Sequence, residues 1–289
     1  MTLEEKIGQL NQYSSFNYTG PSAGQVAGPF SKRSEQLRKG LVGAVLNVHG
    51  TDRARELQRV AVEESRLGIP LLFGFDVIHG FKSISPIPLA EAASWDLEAI
   101  RRSAEIAARE ATAAGVNWTF APMVDISRDP RWGRVMEGAG EDPFLASQIA
   151  KARVEGFQGK DLSQPHTLAA CAKHFAAYGF VEGGREYNTS DIGSHTLYNT
   201  VLPPFKAAVD AGVQTIMSGF QILNGVPVSA SSFLQRAILK EKWGFNGFVV
   251  SDWATIKEME VHGFTPDEKH SALQAITAGL DMDMESSLY

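Results

Sequence analysis

Cysteine is nearly absent from this chain: Cys171 is the single one in 289 residues. One thiol cannot close an intrachain disulfide, so the fold must stand on burial, and cysteine usage says nothing about compartment. Long apolar runs are missing too. The longest, LVGAVLNV (41–48) and TLAACA (167–172), have the length of strands, far short of the roughly 18 residues that a spanning helix needs. No membrane partner is expected. The opening MTLEEKIGQLNQ lacks the apolar core of a signal peptide, and the chain reads as soluble. Positive charge is neither abundant nor concentrated: Lys and Arg number 27 against 33 Asp and Glu, a formal net charge of −6, with no basic run longer than Lys32-Arg33. Such a chain is poorly equipped to grip phosphate backbones, so nucleic acid is not an expected partner. The seven histidines show no H-E-x-x-H or other ligand spacing, and neither G-x-G-x-x-G nor the P-loop motif occurs, so no metal and no cofactor are expected.

What remains is an ordinary globular composition, 44% hydrophobic and 21% charged, which excludes a disordered chain, a collagen or a disulfide scaffold. Thr2-x-x-Glu5 is a capping box for an N-terminal helix with Leu3, Ile7 and Leu10 on one side. The stretch SSFNYTGPSAGQVAGPF (14–30) is too rich in Gly, Ser and Pro for a core and is expected to be a surface excursion. Then a rhythm begins. Apolar runs at 41–48, 70–77, 116–125, 167–175, 213–221, 247–252 and 279–284 alternate with helical patterns at 52–66, 96–114, 142–158, 194–212, 231–242 and 267–278. Apolar strands alternating with amphipathic helices imply a parallel sheet covered by helices. The even spacing favours one TIM-type (β/α)8 barrel over an open doubly wound sheet. Seven strands leave such an eight-unit barrel short near its C-terminal end.

Nearly every strand ends in polar or ionisable residues: Asn47 and His49, Asp76 and His79, Asp125, Lys173 and His174, Gln221, Asp252, and Asp281 with Asp283. Any one of these could cap a helix or hold a loop. Together they mark the rim where barrel enzymes place their active sites. In GFVVSDWATIKE (247–258), Asp252 beside Trp253 suits sugar chemistry, a carboxylate nucleophile next to a flat apolar face. The competing reading makes Asp252 the cap of the following helix. The loop ISRDPRWGRVMEGAGEDPF (126–144) is dense in charge; most of it serves as scaffold, with Arg134 the residue expected to face the pocket. Lys173-His174 reads either as two donors to sugar hydroxyls or as a Schiff-base lysine with a proton shuttle. Adjacent strand residues point to opposite faces, which weakens their pairing unless a cis peptide or a bulge intervenes. Asp76 is a candidate acceptor for two hydroxyls. Asp281-x-Asp283 has no accompanying ligand cluster, so a metal site is not expected there.

MTLEEKIGQL, GFDVIHG, APMVDISRDPRWGR-x-x-E-x-x-GED, KHFAAYG, Asn224-Gly225, GFNGFVVSDW and AGLDMDM, in that order, resemble the N-terminal barrel of glycoside hydrolase family 3, and most closely its periplasmic β-glucosidase branch. The resemblance covers residues 1 to about 285. It implies hydrolysis of terminal β-glucosidic bonds with retention, through a covalent glycosyl-enzyme on Asp252. It further implies that Asp76, Arg134, Lys173 and His174 hold the sugar that is cleaved, and that Trp253 walls the neighbouring subsite. Lys173 becomes a sugar ligand on this view. The implied partners are a β-glucoside or oligosaccharide and a C-terminal α/β sandwich domain of the same protein that supplies the acid/base. The implied compartment is the periplasm or the exterior. Without that domain the 289 residues form a single barrel domain that binds sugar but lacks the proton donor, for which Glu182 and Glu186 are the loop acids at hand. Two departures stand out. Phe220 occupies a position where many members carry Tyr, and KHFAAYG differs from the K-H-F-P-G-H-G of the N-acetylglucosaminidase branch, which is therefore disfavoured.

Overall fold

The computed structural model describes residues 1–14, 30–48 and 50–289, with residues 30–33 by backbone only. His49 and nearly all of the Gly/Ser/Pro-rich stretch lie outside the described residues. Eight parallel strands form the centre: β1 (Asn11–Ser14), β2 (Ala44–Leu46), β3 (Leu72–Phe75), β4 (Trp118–Thr119), β5 (Cys171–Phe175), β6 (Thr215–Ser218), β7 (Phe248–Val250) and β8 (Asp283–Met284). β8 pairs with β1, and β1 through β4 follow in chain order; β5, β6 and β7 pair likewise. Parallel bridges Trp118–Ala169 and Met123–Lys173 join β4 to β5, and Val250–Met282 joins β7 to β8. The ring of main-chain hydrogen bonds therefore closes, as in a (β/α)8 barrel.

The eighth strand, missing from the sequence count, is the first in the chain. Its residues, Asn-Gln-Tyr-Ser, are all buried, yet they contain no apolar run that periodicity could detect. The expected shortfall at the C-terminal end is thus corrected: 279–284 supplies β8, not the seventh strand. The N-terminal helix Leu3–Gly8 has the capping box, Glu5 N–H donating to Thr2 Oγ1 (3.2 Å) and Thr2 N–H to Glu5 Oε2 (2.6 Å). It stops before Leu10, and Leu3 is exposed, so the anticipated apolar stripe does not form. Arg66 also binds Glu5 and holds its carboxyl down at about 2.

The six expected helices are present, as Thr51–Arg59 running on to Glu64, Leu97–Ala113, Pro143–Gln158, Ser194 to Asp210, Phe233–Lys242 and Glu268–Ala278. Three more, Phe30–Arg38, Pro88–Ala93 and Thr255–Val261, follow β1, β3 and β7. Inside the ring, Ala44, Leu46, Trp118, Phe120, Cys171, Met217, Val250, Met282 and Met284 pack as one cluster. Trp118 spans it, its indole N–H donating to Thr215 Oγ1 at 2.8 Å. With side chains filling the interior, ligands are left to the rim.

Helices Leu97–Ala113 and Pro143–Gln158 meet closely because one contributes the buried Ala104, Ala107, Ala108 and Ala111 and the other Gly156. A methyl on Gly156 would overlap the Arg101 carbonyl oxygen and come within 2.8 Å of Ala104 Cβ. Two effects compete in Gly156→Ala: helix propensity favours Ala by about 1 kcal/mol, while overpacking costs about 1–3 kcal/mol. The expected net is a loss of about 1 kcal/mol in urea unfolding. Gly133→Ala, with open space around the new methyl, should fall within about 0.5 kcal/mol of the parent. A more stable Gly156→Ala would show that the helix pair has room to part.

Candidate active site

The C-terminal ends of β3, β4, β5 and β7 bring one charged constellation together. At the tip of β5, Lys173 and His174 are both buried. The peptide between them is cis, and the register against β6 shifts between Ala172 and Phe175. Strict alternation would have separated the two side chains; here both join the site.

Lys173 Nζ donates to Asp76 Oδ1 at 2.8 Å and lies 4.0 Å from Glu137 Oε2. Glu137 in turn receives a fork from Arg134, Nε to Oε1 at 2.7 Å and Nη2 to Oε2 at 3.0 Å. Arg134 is thus aimed by a carboxylate three residues on, a pair that the 126–144 loop carries on a short helical turn, Val135–Glu137. Arg131 and Asp129 pair with each other at the surface (2.9 Å, Nε to Oδ1), as scaffold charges should. An amine ion-paired to one carboxylate and near another has the geometry of a charged hydroxyl donor, not of a free nucleophilic amine.

His174 is positioned from behind by Asp125. One oxygen, Oδ2, accepts both the His174 backbone N–H and the ring Nδ1, each at 2.8 Å. Nε2 faces Asp252 Oδ2 at 3.4 Å. Burial holds the His174 ring well below its usual value, with Arg134 and Lys173 adding to the effect; burial also pushes Asp125 up to about 7, against the His174 N–H bond. The ring is neutral at physiological pH. With Asp125 ionised the ring proton sits on Nδ1 and Nε2 is an acceptor; with Asp125 protonated, Nε2–H points at Asp252.

Asp252 is 9% exposed. Burial raises it to about 6, and Arg134 and Lys173 oppose the rise, so it is ionised at neutral pH. Its Oδ1 accepts the Trp253 N–H at 2.7 Å. The helix Thr255–Val261 starts from Ala254 in a left-handed conformation without any side-chain cap bond. The capping alternative for Asp252 is therefore set aside, and Oδ2 stays open toward the site. Trp253 packs beside Met123, Trp132, Tyr178, Val181 and Phe220.

Other strand-tip residues turn out to hold loops. His79 Nδ1 pairs with the Ser85 carbonyl (3.0 Å), and Gln221 Nε2 donates to the Ala176 carbonyl (2.7 Å). Asp281 binds Lys240 (2.6 Å) and the Val249 N–H (2.8 Å), while Asp283 accepts the Ser286 and Leu288 N–H groups (3.0 and 2.8 Å). Among the described residues no group of three metal-ligating side chains occurs. Glu182 is exposed; Glu186 accepts the Tyr178 hydroxyl and has its other oxygen buried without a partner among the described residues. Phe220 packs on Tyr187 and Tyr178 (centroids 4.7 and 5.6 Å).

Three participants escaped the sequence reading. Glu137 lay hidden among loop charges, though its i+3 spacing from Arg134 was a usable signal. Tyr178 sets its ring edge-on to His174 (5.3 Å) and lies under the Arg134 guanidinium (5.9 Å). Glu258 is pushed up to about 7 by burial and by the Asp252 charge, and its Oε2 is buried without a partner among the described residues; it sits on an amphipathic helix where a partly buried Glu leaves no pattern.

The model of the glycosyl hydrolase family 3 N-terminal domain matches residues 2–289. The chain belongs to glycosyl hydrolase family 3. It is 43% identical over its whole length to a periplasmic β-glucosidase of Salmonella typhimurium, and 34% identical over 88% of its length to a β-xylosidase of Formosa agariphila. It spans 37% of the length of each of these relatives. A β-glucosidase of Listeria innocua, solved with isofagomine, superposes on all of the chain with a TM-score of 0.91 at 41% identity, the match covering 40% of that protein. A point mutant of the same enzyme with laminaribiose gives 0.93. No helix among the described residues of this family 3 barrel is long and apolar enough to cross a membrane.

A direct check on the site is the state of His174. Nitrogen-detected NMR should find its imidazole neutral at pH 6, where an unperturbed histidine is largely charged; an imidazolium at that pH would contradict the burial-driven depression.

Proposed function

We propose that this chain is the barrel domain of a retaining β-glucosidase, with Asp252 as nucleophile. The single observation that carries this is a buried, ionised Asp252 with one open oxygen, facing a neutral His174 and flanked by the cations Lys173 and Arg134. In the proposed reaction Asp252 Oδ2 attacks the anomeric carbon as the glycosidic C–O bond breaks, giving a glycosyl ester that water then cleaves. Asp76, Arg134, Lys173 and His174 bind hydroxyls of the sugar being cleaved. Trp253 forms a wall for the next unit, on which a sugar face can stack. Similarity to β-glucosidases supports glucose as the sugar, and the Salmonella relative's name supports a periplasmic or secreted home.

Retention requires a second carboxyl about 5–5.5 Å from the first, to protonate the leaving oxygen. We place it in a further α/β sandwich domain, a placement supported by the relatives' greater length. By itself the barrel then binds sugar and forms the glycosyl-enzyme only from substrates whose leaving group needs no proton. A second reading is favoured by Glu258, whose elevation to about 7 is what an acid at neutral pH requires. The two separate cleanly. On the first reading the 289-residue chain attacks a dinitrophenyl β-glucoside but not an unactivated one, and Glu258→Gln changes neither. Hydrolysis of poorly activated glucosides that Glu258→Gln abolishes would establish the second.

Asp252→Asn should slow glycosyl-enzyme trapping by a slow fluorinated glucoside at least about 10³-fold; persistent labelling would place the nucleophile elsewhere. The pH dependence has a definite sign. Asp252 attacks as the carboxylate, so trapping is at its plateau above about 6 and is lost as pH falls through that value, by roughly tenfold per unit further down. A rate flat to pH 4 would refute the raised value.

A further inference from the structure

Asp76 is the least enclosed of the proposed sugar ligands. Its side chain is 52% exposed, so packing does not fix its direction, which depends on the Lys173 contact and on the backbone from which it springs. That backbone is tied at two successive residues. The Val77 N–H donates to Thr119 Oγ1 at 3.2 Å. The Ile78 carbonyl accepts from Arg153 Nη2.

Arg153 comes from helix Pro143–Gln158, on the far side of the loop from the sugar site, and is buried. Its other arm, Nη1, donates to Glu91 Oε2 at 2.8 Å, and Glu91, also buried, accepts Ser103 Oγ at 2.6 Å on its second oxygen. Placing two such charges out of water costs several kcal/mol per ion, and an apolar pair of equal volume usually packs as well or better. Helix packing alone therefore gives no reason for the pair. What an apolar pair cannot do is hold a main-chain carbonyl, and this carbonyl lies two residues from Asp76.

We infer that Arg153 is a positioning residue for Asp76: backed by Glu91, it anchors the Ile78 carbonyl and so aims the Asp76 carboxylate at Lys173 and at a sugar hydroxyl. The inference rests on the proposed role of Asp76 as a sugar ligand. It adds a line of residues, Ser103, Glu91, Arg153 and Ile78, that reaches the site from three helices without touching the substrate.

The test replaces the ion pair by Arg153→Met with Glu91→Met, so that no buried charge is left unpaired and the fold is retained, as a melting temperature near the parent's will attest. Two readouts follow. Hydrogen exchange at the amides of residues 76–80 should quicken by about tenfold while that of β3 stays unchanged; unchanged exchange at 76–80 overturns the tether. Calorimetric glucose affinity should fall by about tenfold, and the same pair of changes made on an Asp76→Ala background should add less than about twofold, the non-additivity expected of residues acting through one another. Full additivity would mean that Arg153 acts elsewhere and would sink the proposal. If Asp76→Ala alone leaves glucose binding intact, the sugar-site reading fails and the positioning role with it, whereas the exchange result still reports the tether itself.

Discussion

A carboxylate kept away from water must find its compensation in fixed charges and donors, and the mouth of this barrel is arranged around that requirement at Asp252. Burial raises it to about 6 but no further, because Arg134 and Lys173 oppose the desolvation. Each cation is itself steered by a carboxylate: Glu137 grips Arg134 in a fork, and Asp76 takes the Lys173 ammonium. Preorganisation of this kind means that little has to reorient when charge shifts during a reaction.

The barrel makes the arrangement possible by bringing four strand ends, far apart in sequence, to one rim. Asp76 follows β3, Asp125 follows β4, Lys173 and His174 end β5, and Asp252 follows β7. Their spacing is only as rigid as the ring. That ring relies on β1, a strand of four residues whose hydrogen bonds link β8 to β2, and on isolated bridges at two other seams, two between β4 and β5 and one between β7 and β8. Helix packing supplies the outer clamp, with alanines and Gly156 letting the helices after β3 and β4 press together behind the site.

Much of this was legible in the sequence, and the omissions share a cause. Apolar runs gave seven strands because burial of aliphatic side chains leaves a pattern. The strand Asn11–Ser14 left none, since its buried side chains are mostly polar; the Asn11 amide, for one, donates to the Ile7 and Tyr289 carbonyls (3.3 and 3.1 Å). The rim residues Asp76, Lys173, His174 and Asp252 were visible as charges at strand tips, a place where a dry core has no use for them. Their partners were not. Glu137 and Arg153 are charges among many on a loop and a helix, and only three-dimensional proximity tells a carboxylate that aims Arg134 from one that merely solvates a turn. The aspartates at 281 and 283 show the converse: their motif resembles a chemical one, yet Asp281 is taken up by Lys240 and the Val249 N–H, and Asp283 by the nearby Ser286 and Leu288 amides.

The charge balance at the rim bears on why the proposed reaction suits it. Lys173 and Arg134 stand against Asp76, Glu137 and Asp252, an excess of one negative charge when Asp125, raised to about 7 behind the neutral His174, holds its proton, and of two when it does not. An anomeric carbon approaching its transition state becomes cationic, and the nearest unpaired negative charge is the open oxygen of Asp252. Once the ester bond forms that charge is consumed, leaving two cations matched by two carboxylates in the same low-dielectric space. With Asp125 protonated, the covalent intermediate of the proposed reaction is then the electrically balanced state, and its transition state is the one that the resting imbalance attracts. A site built for a Schiff base would need the reverse, a lysine freed of its carboxylates. Here Lys173 has one at 2.8 Å and another at 4.0 Å, so the electrostatics suited to the proposed glycosyl transfer to Asp252 work against amine chemistry at the same rim.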